Sequence, residues 1–180
     1  MKIIIIGASS LGTMVAEFLS NEGHDVIVVD SDAKKLEPLQ NEWDVLTIQA
    51  DGTSPSFMRS VDVKGSDLVV ALTAMDEVNI IACILAKKNG VPHTIARIRD
   101  PKFLSEPVDY IKENFDIDLV LSPELVTARE ISRLVMTPAA INVEDFAGGK
   151  VQLLETKLSP FSSFVHKKLK DISLPPSVLI

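Results

Sequence analysis

Residues Met1 to Gly12, MKIIIIGASSLG, constrain this chain more than any other stretch. Ile3 to Ile6 is a β-branched apolar run with no polar face. That is the pattern of a strand buried on both sides, as at the centre of a parallel sheet. Gly7 ends it abruptly. From Leu11 the period changes: Leu11, Met14, Val15, Phe18 and Leu19 recur at helical spacing and form one apolar stripe. A buried strand therefore runs into a tight turn and then a helix.

Within that turn, Gly7-x-Ser9-x-x-Gly12 has the spacing of a dinucleotide-binding fingerprint, with serine in place of the middle glycine. Ala8, Ser9, Ser10 and Leu11 complete the turn. The new helix leaves its first N–H groups unpaired and points its positive dipole end at the turn, so a phosphate fits there. Ser9 is small, and its hydroxyl can itself bond a phosphate. A second apolar strand, Val26 to Val29, ends in Asp30, eighteen residues past Gly12. An acid near that spacing meets the adenosine ribose hydroxyls. The alternative is that Asp30 only caps the loop before the next helix. Ser31 and Asp32 follow with no arginine beside Asp30. A 2′-phosphate would meet negative charge there, which favours NAD(H) or an adenine nucleotide over NADP.

Bulk properties narrow the class. The chain has 180 residues, 46% hydrophobic and 24% charged, with a net charge of −7. It has no long basic run, which makes nucleic acid and anionic membrane surfaces poor partners. No apolar run approaches the roughly 18–20 residues that span a bilayer, and no signal-peptide pattern opens the chain. Cys83 is the sole cysteine, so there is neither a disulfide framework nor a cysteine-rich metal site. The expectation is a cytosolic protein, or a cytosolic part of one, without membrane insertion.

Further strands are expected at 45–48, 68–72, 94–98 and 119–121, and helices at 33–41, 54–61, 76–89 and 124–136, with a short helix and loop from Pro101 to Tyr110. Strands alternating with helices imply an α/β, Rossmann-like, doubly wound sheet of six parallel strands. The helix from Asp76 has little polar face and is expected to bury more than one side, in the fold or against another subunit; the helix from Glu124 could extend such a dimer interface. Past Pro138, segments 141–146 and 151–158 read as a hairpin around Gly148-Gly149. Phe164 to Leu169 reads as a short helix, and Leu174 to Ile180 as the start of a strand. The domains are thus a nucleotide-binding domain over 1–137, a linker and hairpin over 138–159, and the opening of a truncated second domain over 160–180. A naturally short chain with a strand-swapped tail is the alternative.

Seven segments in order resemble the N-terminal nucleotide-binding domain of TrkA-type subunits of bacterial potassium uptake systems, the RCK or KTN domains. They are KIIIIGASSLG, IVVDSDAKKLEPLQ, ADGTSP, ALTAMDEVNIIAC, ARIRDP, SPELVTAREISRLV and VEDFAGGKVQLLE. The resemblance runs to about Lys157, and the tail from Pro160 resembles the start of the family's C-terminal RCK domain. It implies a non-enzymatic regulatory (gating) subunit of a Trk/Ktr-type system. Such subunits self-associate, dimers building a ring on the cytosolic face of a membrane-embedded potassium-translocating subunit. They bind NAD(H) or ATP/ADP, and the ligand changes the ring's shape. Carried over, Gly7, Ser9 and Gly12 hold phosphates and Asp30 holds the ribose, with Ser31 beside it counted among the cofactor-binding residues. Asp51 and its neighbour Ala50 lie beside the adenine, with Gly52 next to them counted among the cofactor-binding residues; Thr73 and Ala74 line the pocket near the ribose–phosphate. Arg97 and Arg99 meet ligand phosphates or the adjoining subunit. Glu124 matches a position that helps hold a divalent cation in some ATP-responsive members. The family often has arginine or glutamine where Ser10 stands; a missing arginine removes a bidentate phosphate donor, which keeps NAD(H) or a diphosphate level with a triphosphate.

Two other readings stay open: an NAD-dependent oxidoreductase domain lacking its substrate half, and the cytosolic domain of a potassium channel or potassium/proton antiporter. The first needs an acid or base near the nicotinamide. His24 and His93 precede the second and fifth strands, at the wrong end of the sheet, and His166 lies in the tail. No catalytic or metal-ligand cluster stands out.

Overall fold

The computed structural model describes residues 1–104, 110, 114–136, 140–146, 150–173 and 177–178. Six strands, β1 (Lys2–Ile6), β2 (Asp25–Asp30), β3 (Leu46–Gln49), β4 (Leu68–Ala71), β5 (His93–Arg97) and β6 (Leu119–Leu121), form one sheet in the order β3-β2-β1-β4-β5-β6. Every neighbouring pair is parallel. The expected Rossmann-like architecture is therefore the observed one. The strand order reverses between β1 and β4, and ligands of such sheets bind in the crevice beyond the carboxyl ends at that point.

The helices are α1 (Ser10–Asn21), α2 (Ala33–Glu42), α3 (Pro55–Met58), α4 (Val61–Lys64), α5 (Asp76–Lys88), α6 (Pro101–Leu104) and α7 (Pro123–Met136). Ile3 to Ile6 are all at most 2% exposed, with alternate residues serving two cores. Ile4 and Ile6 pack with Phe57, Met58, Ala82 and Cys83; Ile3 and Ile5 pack with Ala16, Leu36 and Leu39. Burying one such side chain contributes about 1.5–3 kcal/mol, so β1 is the element both layers depend on.

Three local expectations change. The segment 54–61 is not one helix: Ser54 caps α3 through its hydroxyl, Arg59 ends it, and α4 follows. The bend lets Phe57, Met58 and Val63 all enter one core. On α1 the expected stripe holds in part: Leu11, Val15 and Leu19 pack against the core beside the buried Gly12 and Ala16, while Met14 and Phe18 are exposed. The small residues Gly12 and Ala16 let the helix backbone approach the sheet and centre the packed face on themselves. Residues 163–166 form turns, and a short 3-10 helix lies at Leu169–Asp171, so the helix expected over 164–169 does not form.

The chain divides into two compact units, Met1–Leu125 and Val126–Ile180, so the division falls inside α7. In the second unit, β7 (Ala140–Phe146) and β8 (Val151–Thr156) pair antiparallel, as the hairpin reading expects. The expected Gly148-Gly149 turn, Pro138, and most of the strand expected over 174–180 lie outside the described residues. Among the described residues, no helix is long and apolar enough to cross a membrane.

Candidate nucleotide-binding site

The strand ends bring most of the expected residues to one edge. Gly7 follows β1, Asp30 ends β2, Ala50 follows β3, Thr73 lies just past β4 and Arg97 ends β5. All five face the crevice beyond the carboxyl ends.

The turn after β1 needs its glycines for space. Gly7 has φ +107°, and a Cβ there would lie 2.8 Å from the Thr73 backbone nitrogen. A Cβ on Gly12 would lie 2.0 Å from the Gly7 carbonyl oxygen, so α1 sits as close to the turn as a helix can. Any side chain at Gly12 would push the helix off the turn and with it the N–H groups aimed at the crevice. The first turn of α1 carries no acid. Among the described residues nothing takes the N–H groups of Ser10 and Leu11. Two open donors at a positive helix end suit a phosphate.

Ser9 has a different part from the expected one. Its hydroxyl donates to the Leu72 carbonyl at 2.9 Å and accepts from the Gly12 N–H at 3.2 Å. It caps α1 and ties the turn to the end of β4, which turns the hydroxyl inward, away from a phosphate. The serine thus substitutes a structural cross-link for the open space of a glycine.

Asp30 is joined to the same turn. Its Oδ2 accepts from the Ala8 N–H and its Oδ1 from the Asp32 N–H, each at 2.9 Å. Lys35 Nζ stands 3.6 Å from Oδ2. The side chain is 10% exposed, yet an ionised carboxylate has about four lone-pair sites, so ribose hydroxyls can share it. Lys35 corrects the charge reading: α2 returns a cation to the side of Asp30, so the site does not present negative charge alone. Ser31 is exposed, and its carbonyl accepts from Gln49.

Beyond β3, Asp51 accepts from both the N–H and the hydroxyl of Thr53, and those bonds hold its carboxyl below the usual range. Ala50 is half-buried, Asp51 exposed and Gly52 buried against Ile6. The edge of the crevice there is a fixed Asx turn.

On the other side stand the arginines. Arg97 pairs with Glu124 in the first turn of α7, and the guanidinium Nε, although buried, has no partner among the described residues. Burial pushes the Glu124 carboxyl up, but its own N–H and Arg97 outweigh that and lower it overall. Arg99 lies past β5 and donates to the Ala74 carbonyl, with Asp76 beside it at 3.8 Å. Asp76 Oδ2 accepts from the Arg99 and Asp100 N–H groups at 2.8 Å each. Both arginines are thus held from within the unit. Glu124 gathers no metal-ligand set: among the described residues no three His, Cys, Asp or Glu groups converge.

From the sequence, Asn79 reads with Asp76 and Glu77 only as a polar residue opening a helix, with no ligand contact expected of it. It is 0% exposed on α5 and bonds Thr73 and Arg97. The signal was an amide set directly against the apolar run Ile80 to Ala86 of α5. Cys83, on the same helix, donates to the Ile95 carbonyl, and burial pushes its thiol up to about 12. It is a core residue. His24 and His93 lie at the amino ends of β2 and β5, opposite the crevice.

A family model described as the TrkA-N domain matches residues 3–123. The chain is 36% identical, over an alignment of 187 positions, to a Trk system potassium uptake protein TrkA homolog 2 of Methanosarcina mazei. That alignment covers all of this chain and 41% of that protein, so the chain spans about two-fifths of the length of the relative it matches. Among solved structures, it is similar to the NAD(P)-binding domain of an exopolyphosphatase-related protein from Archaeoglobus fulgidus. The TM-score is 0.61 at 25% identity, covering 76% of this chain and 98% of that one. GsuK bound to ADP has the same fold, with a TM-score of 0.63 at 14% identity, covering 77% of this chain and 35% of that one.

Proposed function

This chain belongs to the TrkA-N domain family, and we propose that it is the nucleotide-sensing part of a regulatory subunit of a Trk/Ktr-type potassium uptake system. It works in the cytoplasm at the inner face of the membrane, bound to the potassium-translocating subunit. The observation that carries the reading is the phosphate turn. Gly7 and Gly12 make room, the N–H groups of Ser10 and Leu11 are open among the described residues, and Asp30 stands ready for a ribose. The potassium-uptake name of a relative aligned over the whole chain supports the rest.

The ligand is NAD(H) or an adenine nucleotide such as ADP. An NAD(P)-binding domain and an ADP-bound protein among the similar folds support that class. We read the site as a sensor rather than a catalyst, a reading supported by His24 and His93 lying at the amino ends of β2 and β5, away from the crevice. A divalent cation at Glu124 would need Arg97 to give up that carboxylate, or ligands from a second copy.

Self-association into dimers and a ring fits the apolar side chains left open on the helices: Ile81 on α5, and Val126, Ile131 and Val135 on α7. A nucleotide shifts the ring between shapes only if it binds the two with different affinity. Calorimetry with NAD, NADH, ADP and ATP, alongside thermal unfolding, tests the reading. Ligand at about a hundred times its dissociation constant stabilises by ~2.7 kcal/mol. One nucleotide binding well above the others, without consumption of NADH, is the expected result. Binding of none, or turnover of NADH with a small carbonyl compound, overturns it.

A further inference from the structure

Asn79 is fully buried, and all four of its hydrogen-bonding positions are used. Its Oδ1 accepts from the Thr73 N–H at 2.9 Å and from the Thr73 hydroxyl at 2.7 Å. Its Nδ2 donates to the Thr73 carbonyl at 3.2 Å and to the Arg97 carbonyl at 2.9 Å. β4 and β5 last pair at Ala71 and Ala96. Asn79 carries the link between the two strands past that point, where the chain has left the ladder. A buried amide is costly unless satisfied, and this one is satisfied wholly by backbone and hydroxyl groups at the edge of the crevice.

The consequence reaches the phosphate turn. Thr73, which Asn79 holds on both sides, is the residue that Gly7 abuts: a Cβ on Gly7 would lie 2.8 Å from the Thr73 nitrogen. At its other end Asn79 fixes the backbone of Arg97, whose guanidinium is paired with Glu124. We propose that Asn79 is a positioning residue for the nucleotide: it sets the separation between the phosphate turn after β1 and the arginine-bearing end of β5. It touches no ligand itself. This rests on the nucleotide-binding reading above.

Asn79→Asp tests it. The substitution keeps the size and the acceptor for Thr73. When ionised, its second oxygen faces the carbonyl oxygens of Thr73 and Arg97 and repels them. When protonated, it can donate to one of them again. Asp76, Arg97 and Arg99 flank the position and are the same in both proteins. ADP affinity is measured by calorimetry on the 180-residue chain at pH 8 and pH 5.5, with folding checked by circular dichroism. The wild-type chain is the reference at each pH and removes the titration of ADP itself.

The expected result is at least a tenfold loss relative to wild type at pH 8, recovering to within threefold at pH 5.5. Asn79→Ser, which cannot reach both strands, loses at least tenfold at both pH values; it stands in if Asn79→Asp does not fold at pH 8. Affinities within twofold of wild type in the folded variants overturn the proposal and leave Asn79 a core residue. If wild type binds neither ADP nor NADH, the nucleotide reading itself fails, and this inference with it.

Discussion

The Asp30 carboxylate accepts a hydrogen bond from the Ala8 N–H at 2.9 Å, so the acid offered to a ribose and the turn offered to a phosphate are one connected piece. The bond ties the end of β2 to the loop after β1, beside the point where the strand order reverses. A ligand that engages Asp30 therefore also acts on the turn.

Replacing Asp30 separates those parts. Asp30→Ala leaves the Ala8 and Asp32 N–H groups without their acceptor and is expected to destabilise by about 1–3 kcal/mol. It also removes the ribose acceptor, so nucleotide affinity falls at least tenfold while the domain stays folded. Denaturant unfolding and calorimetry on the same samples check both. Unchanged affinity in a folded variant would remove Asp30 from the site.

Gly12→Ala tests the close approach of α1. The added methyl would lie 2.0 Å from the Gly7 carbonyl, which is backbone and cannot rotate away. The helix must move, at about 1–3 kcal/mol or more for forcing extra volume into a packed place. Its open N–H groups move with it. The expected outcome is a lower unfolding midpoint together with loss of nucleotide binding. A variant with wild-type stability would show that the turn is looser than its geometry.

How far all this was legible in the sequence depends on the kind of interaction. Ile3 to Ile6 and Val26 to Val29 announced buried parallel strands, because a strand covered on both faces leaves no polar alternation. Gly7 and Gly12 announced the turn by their spacing after an apolar strand, and in the fold only a missing side chain fits at either place. Residues whose part depends on a partner far along the chain were not legible. Ser9 was readable as a phosphate donor until the Leu72 carbonyl, brought in by β4, accepted its hydrogen bond. Lys35 reaches Asp30 only through the way α2 packs back beside β2. Asn79 looked like one polar residue opening a helix; its two strands are neighbours only in the folded sheet.

Asp118 pins the opposite end of the sheet and supplies a pH signature. Its Oδ2 accepts from the Thr94 N–H and pairs with Lys87, each at 2.8 Å. Burial pushes its carboxyl up, but Lys87 and the Thr94 N–H outweigh that and lower it overall. A carboxyl depressed in the folded state stabilises the fold above its unfolded value, near 3.9, and loses that contribution as pH falls through the folded value. The side chain is 35% exposed, so solvent screening keeps the ion-pair share below about 1 kcal/mol. Asp118→Asn is therefore expected to be less stable than wild type at pH 7, with the gap closing below about pH 4. Urea midpoints across that range measure it; a gap independent of pH would assign the effect to packing.

Arg97 and Glu124 yield the sharpest contrast between two uses of one carboxylate. Arg97 is 15% exposed, its Nε has no partner among the described residues, and Glu124 pairs with its terminal nitrogen. If ligand phosphates come to Arg97, Glu124 competes with them, and Glu124→Gln should tighten ADP binding in the presence of a chelator. The Glu124 side of the pair is open to water, so its worth is about 0–1 kcal/mol and the gain at most about fivefold. Arg97→Ala should weaken ADP by at least tenfold, since a charge-assisted bond is lost. If Glu124 instead serves a divalent cation, Glu124→Gln weakens binding only when magnesium or calcium is present. Titrations of both variants, with chelator and with either cation, separate the two, and we expect the competition result. An Arg97→Ala variant that binds ADP like wild type would confine Arg97 to holding α7.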